Sequence, residues 1–346
     1  MNRDKTYFIA DIAGNHDGDL ERAKHLCVLA KESGADAAKF QHFKTHTIIS
    51  DGGFKQLGKK SHQSTWNESV YEMAERVCFP FDWTLKLKEH CDQIGIDFFT
   101  SPYDLDYVDE IDPYLSIYKI GSGDITYHKI IHKIASKGKP VLIATGASDM
   151  SEVESAVDIL DSYGVPIVLM QCNTNYTASP ENYKHINLNV LHSYKQLEQK
   201  TINSTISLGL SDHTFGDVTV LGAVAMGARY IEKHFTDDNE RVGPDHKFSM
   251  TPETWRTMVE RTRLLEFALG DGIKVVEENE QDTVVIQRRA LRVKSDLKAG
   301  HILTEDDIAE LRPCPKDGLS PTIDVVGHTL TRDVNKTDYL RHEDVQ

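Results

Sequence analysis

The chain reads as an α/β protein, a (β/α)₈ TIM barrel followed by a small, mostly β domain. Three observations predict this. Short β-type runs alternate with helical periodicity almost from the first residue, eight such runs fit into the roughly 250 residues usual for a barrel, and the pattern changes after Leu269. The runs are Tyr7–Ile12, Ala37–Gln41, Asp97–Thr100, Ser116–Ile120, Pro140–Thr145, Pro166–Cys172, Ser207–Ser211 and Ala228–His234. Between them LERAKHLCVLAKESG puts Ala23, Leu26, Cys27 and Ala30 on one helical face and stops at a glycine. WTLKLKEHCDQIG and MSEVESAVDILDSYG follow the same rule. A doubly wound sheet is disfavoured, because no GxGxxG follows the first strand.

The expected domains are a barrel over 1–270, a linker over 271–287 and a compact domain over 288–346. A domain of about sixty residues is near the lower limit for folding alone and should pack on something. Its phrases DLKAGHILTEDDI and DVNKTDYLRHEDV resemble each other. The stretch Ile48–Pro80, with the polar, glycine-rich DGGFKQLGKKSHQSTWNES, interrupts the alternation. It reads either as a loop covering substrate or as a solvated insertion.

A net charge of −15 argues against nucleic acid, whose phosphates need a basic face. It leaves room for a small anion held by a few local cations. No apolar run approaches the roughly 20 residues of a membrane span. The start MNRDKTYFIADIAGN lacks a signal-peptide pattern, so a cytoplasmic location is expected. Five scattered cysteines, none spaced CxxC, fit neither a disulfide framework nor a thiolate zinc site.

In a barrel the chemistry lies at the C-terminal strand ends. Here those ends carry Asp11, Asn15 and His16; Lys39 and Gln41; Thr100; Lys119 and Ser122; Thr145; Cys172 and Asn175; Ser211 and His213; and Glu232 and His234. Such a row of polar groups predicts an enzyme. His213 and His234 end neighbouring strands roughly 5 Å apart. They therefore read as a two-nitrogen metal site completed by water or substrate oxygens, suited to Mn²⁺, Fe²⁺, Co²⁺ or Zn²⁺. The alternative is a pair that only positions substrate. Lys39 and Lys119, with Ser122 and the Gly121 and Gly123 backbone, form a candidate phosphate site. A Schiff-base lysine, or salt bridges to Asp11 or Asp124, compete with that role. GPDHKFS adds Asp245, His246 and Lys247 near the same mouth.

In this order the phrases IADIAGNHDGD, GADAAKFQ, FFTSPYD, YKIGSGDIT, GKPVLIATG, LGLSDHT, GARYIEKHFT and GPDHKFSM resemble the N-acetylneuraminate synthase family of nonulosonic (sialic) acid synthases. The tail LRVKSDLKAGHILTEDDI…LRP…GLSP resembles that family's antifreeze-like (SAF) domain. The resemblance covers essentially the whole chain. It implies a condensation in which phosphoenolpyruvate (PEP) C3 attacks the aldehyde of an open-chain N-acyl mannosamine-type sugar. Water adds at C2, the C–O bond to phosphate breaks, and a nine-carbon 2-keto-3-deoxy acid forms. A divalent metal, Mn²⁺ with Mg²⁺ or Co²⁺ as alternatives, would sit on His213 and His234. Asp11, Lys39 and Lys119 would be the catalytic groups, and Asp11 the acid/base.

PEP would contact Lys39, Gln41, Ser69, Thr100, Lys119, Ser122, Thr145, Ser211 and Thr174 or Asn175. The sugar would contact Asp124, Tyr176, Asp245 and Arg312. The resemblance further implies a domain-swapped homodimer in which the SAF arginine, here Arg312, reaches the partner's barrel. This chain departs from the family pattern at Asp11 and Asp124, which stand for glutamates, at Ala144 for a serine, at CNTNY for CTSNY, and at RPCPKDG for RPGxG. Another PEP or pyruvate carboligase on the same barrel is the competing enzyme reading. A non-catalytic sugar-binding protein is the competing class.

Overall fold

The computed structural model describes residues 5–57, 66 and 68–346. They fall into two compact units, Met1–Gly270 and Asp271–Gln346.

The first unit holds eight parallel strands: β1 (Tyr7–Asp11), β2 (Ala37–His42), β3 (Asp97–Pro102), β4 (Tyr118–Ile120), β5 (Val141–Ala144), β6 (Ile167–Cys172), β7 (Ile206–Asp212) and β8 (Tyr230–His234). Each overlaps its expected run. β1 pairs with both β2 and β8, so the first and last strands are neighbours. β3 and β4 lie side by side and complete the closure. Strands such as IVLMQC of β6 are buried along their whole length, as parallel strands covered on both faces must be.

Around them run α1 (Leu20–Glu32), α2 (Thr45–Ile48), α3 (Asp51–Leu57), α4 (Val70–Arg76), α5 (Trp83–Ile94), α6 (Leu105–Ile111), α7 (His128–Ala135), α8 (Met150–Ser162), α9 (Val190–Leu197), α10 (Val218–Ala225) and α11 (Pro252–Leu269). Local chemistry sets their ends. The Asp19 carboxylate accepts from the Glu21 and Arg22 amides and starts α1, which buries Ala23, Leu26, Cys27 and Ala30. Asp149 and Glu152 cap α8 reciprocally. α5 stops at Gly95, whose φ of 72° suits a residue without Cβ.

The insertion departs from its loop reading. Despite Gly52 and Gly53 it carries α3, with Asp51 paired to Lys55 one turn on. Ser69 and Glu72 form a capping box that starts α4. Residues 58–65 and 67 of the insertion lie outside the described residues.

The second unit begins with α12 (Gln281–Gln287), where a linker was expected, and continues with β9 (Ala290–Val293) antiparallel to β10 (Ile308–Leu311). The two similar phrases have matching roles. The Asp333 carboxylate accepts from the Ala299 amide, and Asp296 accepts from the Lys336 amide. Leu297 and Val334 exchange both backbone hydrogen bonds, at 2.9 Å each. Leu303 and Leu340 fill equivalent places in one small core. The sequence repeat is thus an internal pseudo-two-fold.

Candidate active site

Parallel pairing puts residues opposite one another on the same face, so register decides which side chains meet inside the barrel. Asp11 pairs with Lys39 on one side and with His234 on the other. Ser211 pairs with both Cys172 and Glu232. These six side chains line one cavity of about 490 Å³ with Gln41, Lys119, Ser122, Tyr176 and His213. Ile48, Ile49 and Ala74 also line it, so the insertion contributes a wall.

Two ion pairs lie at its floor. Lys39 Nζ donates to Asp11 Oδ2 at 2.6 Å, and Lys119 Nζ donates to Glu232 Oε1 at 2.6 Å. Lys119 therefore pairs with Glu232 rather than with the Asp11 or Asp124 considered from sequence. Ser211 Oγ also donates to Glu232 Oε1, whereas Oε2 is buried with no hydrogen-bond partner among the described residues. Burial pushes Glu232 up, but Lys119 and Lys39 outweigh it and hold the carboxyl at about 2. Burial likewise opposes the charge on Lys39, yet Asp11 and Glu232 hold that ammonium above the usual lysine range. Burial raises Asp11 above the ordinary carboxylate range, against the pull of Lys39.

The two imidazoles stand beside these pairs, with ring centroids 5.4 Å apart. His213 Nδ1 lies 2.9 Å from the Asn173 carbonyl, which fixes it as the N–H and leaves Nε2 with the lone pair. His234 Nδ1 is buried without a hydrogen-bond partner among the described residues. Burial, with the neighbouring His234, lowers His213 to about 4; burial lowers His234 to about 4 as well. Both are neutral at pH 7, the form that binds metal. Phe248 packs on both rings, at 5.8 and 4.9 Å, and Tyr176 lies 4.4 Å from His213. Among the described residues no group of three or more His, Cys, Asp or Glu side chains is arranged to hold a metal. What the arrangement offers a cation is the pair of neutral imidazoles.

Several expected contacts do not converge on the cavity. Thr100 pairs with Phe40, on the helix-facing side, and its hydroxyl meets His42 Nδ1 at 2.8 Å. The inward residue one step on is Ser101, whose buried hydroxyl has no hydrogen-bond partner among the described residues. Thr145 faces outward for the same reason, one residue past the cavity-lining Ala144, and its hydroxyl bonds the Met170 carbonyl and Tyr194. Period-two alternation moves each side chain to the wrong face. Ser69 spends its hydroxyl on the α4 cap. Asn175 turns its carbonyl to Thr177, and neither it nor Thr174 lines the cavity. Thr174 packs close to Gly146, where an added Cβ would come within 2.6 Å of it. Asp245 accepts from the Gly14 amide at 3.1 Å and lies 4.0 Å from His234 Nδ1. Arg312 is exposed in the second unit, directly after β10.

Asp124 lies just beyond the lining residues Ser122 and Gly123. Burial raises its carboxyl from an ordinary 3.8 to about 6. A carboxyl raised on folding stabilises the fold below its unfolded value and loses that contribution as pH rises through its folded value. Asp124→Asn should therefore melt a few degrees above the parent protein at pH 8, with the gap closing towards pH 4.5. A gap between the two melting curves that is independent of pH would refute this.

The sequence profile of the NeuB family matches residues 26–274. The chain belongs to the NeuB family. Residues 288–346 of this NeuB-family chain match the SAF domain. It is 34% identical to N,N'-diacetyllegionaminic acid synthase of Campylobacter jejuni, over 97% of this chain and 99% of that protein. It is 31% identical to pseudaminic acid synthase of the same organism, over 100% and 98% of the two chains. The crystal structure of N-acetylneuraminic acid (sialic acid) synthetase from Leptospira borgpetersenii in complex with citrate superposes with a TM-score of 0.68. That match has 28% identity and covers 81% of this chain and 90% of the other. The NeuB-family protein is accordingly an enzyme of the synthase type.

Glu232 and Tyr103 line the NeuB-family site although the sequence assigns neither a role there. Glu232 was visible as a strand end, but nothing in the sequence tied it to Lys119. Tyr103, whose ring would collide with a Cβ at Gly121, had no signal beyond its place two residues after Ser101.

Proposed function

We propose that this enzyme condenses phosphoenolpyruvate with the open-chain aldehyde of an N-acyl mannosamine-type sugar and water, giving a nonulosonic acid and phosphate. The observation that carries the reading is the single cavity in which Lys39, Lys119, Asp11 and Glu232 meet the His213–His234 pair. The charges cancel within each of its two ion pairs, and its imidazoles are neutral. PEP brings a carboxylate and a phosphate of about −1.5 to −2 charge. Such a substrate calls for further positive charge in this mouth. A divalent cation held by His213 and His234, Mn²⁺ foremost, would supply it and would polarise the sugar aldehyde.

The chain's own groups account for the rest. Lys39, Lys119, Ser122 and Ser211 hold the phosphate and carboxylate of PEP. Asp11, raised by burial, exchanges a proton at the reacting oxygen. Tyr176, Asp124 and Asp245 orient the sugar. Incubation with PEP, Mn²⁺ and a panel of N-acyl mannosamines and 2,4-diacetamido-trideoxy hexoses should release phosphate and yield a product with the mass of the sugar plus that of pyruvate, which is PEP plus water less phosphate. PEP-independent or absent phosphate release with every sugar would sink the reading.

The reading includes a swapped homodimer in the cytoplasm, with Arg312 of the partner subunit at the sugar's N-acyl group. Inactive Arg312→Ala and Asp11→Asn chains, mixed under conditions of proven subunit exchange, should then recover up to about a quarter of parental activity, because about half of randomly paired dimers are mixed and each of those has one of its two sites intact. Exchange without recovery would rule out an arginine acting in trans. Among the described residues no helix is long and apolar enough to cross a membrane.

A further inference from the structure

We infer that Asp212 and Lys233, which do not line the cavity, are positioning residues that set the spacing of the two imidazoles. This rests on the reading of His213 and His234 as a cation site. The last rung of pairing between β7 and β8 joins Asp212 to Lys233. His213 and His234 each stand one residue beyond that rung, where the two strands no longer share a ladder. β8 remains paired to β1 there, through Asp11 opposite His234. The chain after β7 leaves the sheet. Backbone pairing alone therefore leaves the separation of the imidazoles open.

The side chains at that rung close it. Asp212 and Lys233 point to the helix side of the sheet, with side chains 0% and 1% exposed. The Lys233 ammonium donates to Asp212 Oδ2 and, at 2.6 Å, to the carbonyl of Thr214. One ammonium rooted beside His234 thus grips the residues on both sides of His213. Asp212 is held in turn by the Thr214 amide at 3.1 Å, the Thr214 hydroxyl at 2.8 Å and the Thr219 hydroxyl at 2.7 Å. A buried ion pair returns in attraction about what it costs in desolvation, so stability alone does not call for one here. Its place is explained by what it holds. His213 has a direct anchor at the Asn173 carbonyl, while His234 Nδ1 has no hydrogen-bond partner among the described residues and Asp245 is 4.0 Å away. The less anchored imidazole depends on its strand end.

The double variant Asp212→Asn/Lys233→Met removes both charges and leaves neither orphaned. Its melting temperature should stay within a few degrees of the parent, because replacing such a pair together is often neutral. Its affinity for Mn²⁺ alone, read by titration calorimetry and by the absorption of the Co²⁺ form, should fall about tenfold or more, as when groups that orient metal ligands are lost. His213→Ala sets the zero point. Parental Mn²⁺ affinity in a folded double variant overturns the positioning role. If the double variant does not fold, Lys233→Arg keeps the pair with a wider head group. The same weakening is expected there, and parental affinity overturns the inference. A parent protein that binds Mn²⁺ no better than His213→Ala removes the cation site itself, and this role with it.

Discussion

Lys119→Met is expected to cost the protein both its stability and its activity. The substitution leaves Glu232 as a buried carboxylate whose only remaining donor among the described residues is Ser211. Breaking one side of a buried pair typically costs about 3–5 kcal/mol. That is a large share of the roughly 5–15 kcal/mol that holds a protein folded. Activity should fall further than stability explains. An ammonium at the cavity floor that meets substrate charge is worth a hundredfold to a thousandfold in rate, on the order seen for single groups that stabilise developing charge. The double variant Lys119→Met/Glu232→Gln separates the two effects. It carries no orphan charge, so thermal denaturation should show most of the stability restored. PEP-dependent phosphate release should stay low. Recovery of both together would make Lys119 only a structural partner of Glu232.

His213→Ala and His234→Ala are expected to abolish turnover while leaving the fold intact. Both imidazoles are neutral at pH 7, so removing either leaves no unpaired charge behind. The structural cost is a partly filled cavity against Phe248 and Tyr176, within the usual range of about 1–3 kcal/mol for a single substitution. Loss of either nitrogen halves the protein's share of the proposed cation site. Calorimetry with Mn²⁺ should show binding reduced to background in each variant, and circular dichroism should match the parent. Full activity in either variant, or after thorough chelation, would refute the site.

Much of the fold was legible in the sequence, for a local reason. Strand runs such as YFIAD and IVLMQC and helical faces such as Ala23, Leu26, Cys27 and Ala30 announce themselves over a few residues. Caps do the same: Asp149 with Glu152, three residues apart, marks the start of α8. The loop reading of the insertion failed at α3 because Gly52 and Gly53 lower helix propensity, while the Asp51–Lys55 pair and the neighbouring α4 favour the turn.

The site was half legible. That Asp11, Lys39, Lys119, Ser211, His213 and His234 end strands could be read directly, and all six line the cavity. Which face a strand-end residue takes could not be read in the same way. Thr100 and Thr145 turn outward because each lies one step out of phase with an inward neighbour, and that phase is set by pairing across strands.

By itself, then, the sequence determined the alternation of strands and helices, the polar strand ends, the repeat in the second unit and the family. The tertiary structure alone decided the partners. Lys119 met Glu232, 113 positions away in the chain, and Lys233 met Asp212 across the last rung of β7 and β8. The physical reason is that hydrogen bonds and charge pairing act over about 3 Å, and only the closed barrel brings such distant residues within that reach.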